Sequence, residues 1–129
     1  MSESSTTPPP SDDLPAAFNL AVGLLKERRH LGFDELADVL KLCGYPVAGE
    51  HPYIYRQNTC LLAWVGMSRL FWMVAERLRR HPSVRMEQVV DPRPSQYPPN
   101  LRLPIARDDT GPFTKQHWLP CEFVWCGDA

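Results

Sequence analysis

Residues 67–90 read MSRLFWMVAERLRRHPSVRMEQVV, and the fold turns on how they divide. Met67, Leu70, Phe71, Val74 and Leu78 recur at helical spacing, so one face of a helix over about 67–80 is apolar. His81-Pro82 closes that helix, because a proline disfavours helical geometry in the residue before it. SVRMEQVV then alternates as a strand does, with Val84, Met86 and Val89 facing inward. At about 100° per residue, Arg69, Trp72, Met73, Glu76 and Arg80 fall on the outer side of the helix. That outer side carries the functional question.

Working outward, AAFNLAVGLLKERRH gives a first helix over about 15–30, with Phe18, Val22, Leu24 and Leu25 as its apolar stripe and Gly32 as its stop. GFDELADVLKLCGY gives a second, with Asp34 as N-cap, Leu36, Val39, Leu40 and Cys43 on one face, and Gly44 past its end. PVAGEHPYIYRQNT reads as a loop, and CLLAWVG (60–66) as a short buried strand or as the first turns of a longer helix. Gly66 favours the strand. After the proline-rich connection DPRPSQYPPN, LRLPIA reads as an edge strand and CEFVWC as a last strand.

The chain has 129 residues, a length that fits one domain. Residues 1–15 (MSESSTTPPPSDDLP) hold almost no apolar side chains, so they are expected as a disordered tail before a single domain over 16–129. The tail has three acids and no base, which leaves the rest at +2. Over 69–107, eight arginines stand against Glu76, Glu87 and Asp91. A local basic excess of this kind suits phosphate. No apolar run approaches the ~18–20 residues of a membrane span, and no basic-then-apolar leader stands at the start. The expectation is a cytoplasmic chain with reduced thiols and no membrane partner.

The order of elements carries a resemblance. FDELADVL (33–40) is similar to the second-helix signature of many bacterial regulators, and a third helix running straight into SVRMEQVV resembles a recognition helix feeding a wing. Over roughly 16–106 the chain resembles a winged helix-turn-helix domain. The resemblance implies an α+β fold with three helices, a small antiparallel sheet and a long proline-rich wing. The usual motif joins its second and third helices by three or four residues, whereas here an insertion at about 45–66 intervenes.

The resemblance implies double-stranded DNA as partner. Ser68, Arg69, Trp72 and Met73 would then read bases, Arg80 would meet phosphate, and Arg93, Tyr97 and Arg102 would belong to the wing. A homodimer would supply a second half-site. The competing expectation is a protein-interaction module without DNA binding, in which Trp72, Met73 and the Tyr53/Tyr55 loop meet another protein. A third is a small Cys/His enzyme using Cys60 with His51 or His117. His117, Cys121 and Cys126 lack the spacing of a metal site, and no phosphate loop or nucleophile elbow is present. No catalytic residue, metal or cofactor is assigned.

Overall fold

The computed structural model describes residues 13–56, 58–99, 101–109 and 113–127; the expected tail lies almost wholly outside them. Three helices and two three-stranded sheets make an α+β fold. Helix α1 (Leu14–Arg28) opens under Asp13, whose carboxylate accepts from the Ala16 amide at 3.2 Å. It closes at Arg29, left-handed at φ 70°. Gly32 therefore does not end this helix. Residues 30–32 instead form strand β1 (His30–Gly32), which the sequence reading passed over. Three residues are too short to show a period, and their partner lies about ninety positions away in the chain. The buried stripe of α1 runs through Leu14, Ala17, Ala21 and Leu25 rather than Phe18 and Val22. The small alanines let α1 pack against α3.

Helix α2 (Phe33–Leu42) is capped by Gly32 and not by Asp34. The Glu35 carboxylate reaches back to accept from the Gly32 amide at 3.0 Å, half of a capping box. Phe33, Leu36 and Leu40 are its buried positions, whereas Cys43 is exposed. The insertion is a hairpin, β2 (Ala48–Tyr55) and β3 (Asn58–Met67), so most of the expected loop is strand. Pro52 is tolerated because β2 is an edge strand.

Helix α3 (Arg69–Arg80) follows at once, with Leu70, Phe71, Val74, Ala75 and Leu78 buried. Met67 belongs to β3 and not to this helix. Strand β4 (Val84–Gln88) comes next, as read. LRLPIA is not a strand: only Ile105 makes an isolated bridge, to Trp118, while Leu101 and Leu103 tuck against the core. Pro104 lacks a donor, and the place beside β4 is taken by the more apolar β6 (Cys121–Trp125). The first sheet thus runs β1-β6-β4, all antiparallel. The second runs β2-β3-β5, where β5 (His117–Trp118) lies parallel to β3.

Phe33 ties these parts together. Its ring lies 4.9 Å from Phe123 of β6, 5.7 Å from Trp64 of β3, 5.8 Å from Tyr53 of β2 and 6.4 Å from Phe71 of α3. One side chain therefore contacts both sheets and the third helix, and burying such a ring outweighs any single surface contact. Phe33→Ala is expected to cost about 3–5 kcal/mol in chemical denaturation. Leu42→Ala, at a side chain 87% exposed, is the control and is expected to stay within about 0.5 kcal/mol.

Candidate interaction groove

The hairpin covers the middle of the outer face of α3, at Trp72 and Glu76, and leaves Arg69 and Arg80 exposed. The Tyr53 ring lies 5.8 Å from Trp72, leaving that indole only partly exposed. The Tyr53 hydroxyl donates to Glu76 Oε1 at 2.8 Å. Arg79 donates to Glu76 Oε2 at 2.7 Å and to the Tyr53 oxygen at 3.1 Å, and Arg80 donates to Glu76 Oε2 at 2.8 Å. A single carboxylate thus gathers two arginines of its own helix and one tyrosine of the neighbouring hairpin. The Arg79 guanidinium and the Tyr53 hydroxyl hold Glu76 down at about 2, against partial burial that opposes them. Burial and the neighbouring carboxylate push Tyr53 well above the usual phenol range.

Beside this network opens a groove of about 740 Å³. Its walls are two strand edges, β2 on one side and β4 on the other, and its floor is the C-terminal half of α3. Arg56, Arg79, Arg80 and Arg85 line it against Glu76 and Glu87, so its lining is net positive. Apolar side chains break the charge, with Ile54 39% exposed and Met86 half-buried.

The residues expected to read DNA separate. Ser68 is 8% exposed, and its hydroxyl both accepts from the Phe71 amide at 3.0 Å as the cap of α3 and donates to the Pro46 carbonyl at 2.7 Å. Its role is structural. Trp72 lines the groove under Tyr53, and Met73 packs partly against the core. Arg69 is exposed and has no ion pair among the described residues, while Arg80 is held by Glu76. Tyr97 does not stand on a projecting wing: its ring meets Trp118 edge-on at 5.0 Å. Arg93 and Arg102 are exposed elsewhere on the same connection, outside the groove. Arg56 and Arg85 escaped the sequence reading because nothing in their local pattern reveals that two sheet edges meet.

Two of the four thiols are exposed, Cys43 and Cys126, and the other two are turned inward. Cys60 donates to the Phe113 carbonyl at 3.4 Å, and Cys121 donates to the Leu119 carbonyl at 3.2 Å. Burial pushes the Cys121 thiol up to about 12. A thiol so placed is not a thiolate at neutral pH and is a poor nucleophile. No helix among the described residues is long and apolar enough to cross a membrane. No protein-family model matches the chain, and searches of characterised proteins and of solved structures return no match.

The network predicts a pH dependence. Because the folded Glu76 titrates at about 2 and its ordinary value is 4.5, its contribution is complete above 4.5 and is lost as pH falls towards about 2. Glu76→Gln is expected to destabilise by about 1–3 kcal/mol at neutral pH. The gap to the native chain should close as urea unfolding is repeated at successively lower pH.

Proposed function

We propose that the chain acts by binding another protein through the groove between β2, α3 and β4. The observation that carries this reading is the Tyr53 roof over Trp72 and Glu76. A hairpin resting on Trp72 and Glu76 stands where the middle of a recognition helix would meet the floor of a major groove. What remains open is a concave surface with apolar lips, an aromatic floor and two strand edges, which is the make-up of a peptide-binding or protein-binding site.

The frame supports the winged helix-turn-helix resemblance. With the second sheet set aside, the order is helix, strand, helix, helix, strand and strand, with the last strand lying between the other two in the first sheet. In this reading the inserted hairpin converts the third helix from a reader of DNA into the floor of a groove. The connection from β4 to β6 occupies the position of a wing, but folds back so that Tyr97 rests on Trp118.

Duplex DNA is the second reading, and one observation favours it: Arg69 and Arg77 are exposed without an ion pair among the described residues. Photo-crosslinking separates the two. With p-benzoylphenylalanine at Ile54, irradiation in extract of the producing cells is expected to give discrete protease-sensitive adducts. The same group at Leu42, which lies outside the groove, should give none. Nuclease-sensitive adducts, together with duplex binding whose salt slope falls by about one per arginine on Arg69→Ala, would favour DNA instead.

A further inference from the structure

The four outer strands among the described residues differ in how their free edges are protected. Strands β1 and β5 are three and two residues long, and β2 carries Pro52 and repeated register shifts against β3. Short length, proline and bulges all discourage further pairing. Strand β4 has none of these. Its five residues pair with β6 without a single irregularity, from Val84 opposite Trp125 to Gln88 opposite Cys121.

The pairing also fixes which backbone groups of β4 are free. The Cys126 amide donates to the Ser83 carbonyl, and the Val89 amide donates to the Pro120 carbonyl. In an antiparallel ladder the exchanging positions alternate, so Ser83, Arg85, Glu87 and Val89 turn their amides and carbonyls toward β6. Met86 therefore turns both of its backbone groups outward, toward the free edge. Arg85 and Glu87 share the solvent face of the strand, opposite the buried Val84, and their side chains meet at 2.8 Å.

A strand added antiparallel to this edge must place its own outward-turned residues opposite Val84, Met86 or Gln88. For a second copy of β4, three central registers satisfy that condition. One sets Arg85 opposite Arg85, and another sets Glu87 opposite Glu87; both oppose like charges. The third sets Met86 opposite Met86, which places each Arg85 opposite the other copy's Glu87. Opposite charges attract and like charges repel at directly facing positions, so only the third register is favourable.

We propose that two copies of the chain join edge to edge through β4, centred on Met86, giving a continuous sheet β1-β6-β4-β4-β6-β1 about a two-fold axis. The two Met86 residues exchange amide and carbonyl, and the Arg85 and Glu87 side chains of both copies form an alternating four-charge cluster on the solvent face. Such an interface is self-complementary, as a two-fold contact requires. This inference rests on the groove reading and names its partner, since β4 forms one wall of the groove.

Sedimentation equilibrium of the full chain over a range of concentrations tests it. The native chain should dimerise. Arg85→Glu and Glu87→Arg should each weaken the dimer about tenfold or more, because each puts like charges opposite one another twice. The double variant Arg85→Glu/Glu87→Arg should regain it, since the swap restores both pairs. Met86→Pro, which removes a donor that β6 does not use, should weaken it as well. A monomeric native chain, a dimer indifferent to the single charge changes, or a double variant that stays dissociated would each overturn the proposal. Adducts at Ile54 to a different protein, from a monomeric native chain, would remove the self-pairing and leave the groove reading standing.

Discussion

The Glu76 carboxylate determines what the surface of this protein can do. Arg79 and Arg80 reach it from the same helix, and Tyr53 reaches it from the hairpin. The three bonds are not equal. Arg80 is 73% exposed, so its pair sits in high dielectric and contributes little. Tyr53 is buried, and without Glu76 its hydroxyl would keep the bond it accepts from Arg79 but lose the acceptor for its own proton. A hydrogen bond from a buried donor to a charged acceptor contributes about 1.5–3 kcal/mol. That bond, with the ring of Tyr53 against Trp72, holds the hairpin down on α3.

From this follows the character of the groove. A hairpin fixed over the helix brings its own edge to face the edge of β4, so two separate sheets present strands to one space. The core under the groove is continuous with the rest of the protein through Phe33, which meets Tyr53 on the hairpin and Phe123 on the first sheet. The groove is therefore built on rigid elements on three sides, the condition under which a binding surface needs little reorganisation.

Much of this was legible in the sequence where the signal is local. The buried face of α3 follows from the spacing of Leu70, Phe71, Val74 and Leu78, and β4 follows from its alternation. What escaped depends on partners far along the chain. Strand β1 exists because β6 pairs with it, and LRLPIA fails as a strand because β6 takes the place beside β4. The hairpin hid behind Pro52, which reads as loop until the strand is known to lie at an edge. Tyr53 and Tyr55 were visible as a pair two residues apart, but only the fold reveals that the first of them reaches Glu76. Ser68 shows a related ambiguity: the residue before a helix can cap it or stand at its reading end, and here its hydroxyl caps α3.

The central claim is that Tyr53 and Glu76 lock the hairpin over the outer face of α3. A double-mutant cycle of Tyr53→Phe and Glu76→Gln, measured by urea unfolding at neutral pH, tests it most directly. The account predicts a coupling energy of about 1 kcal/mol or more between the two changes. Effects that add to within about 0.3 kcal/mol would mean that the two side chains act independently, and the covered helix would have to be given up.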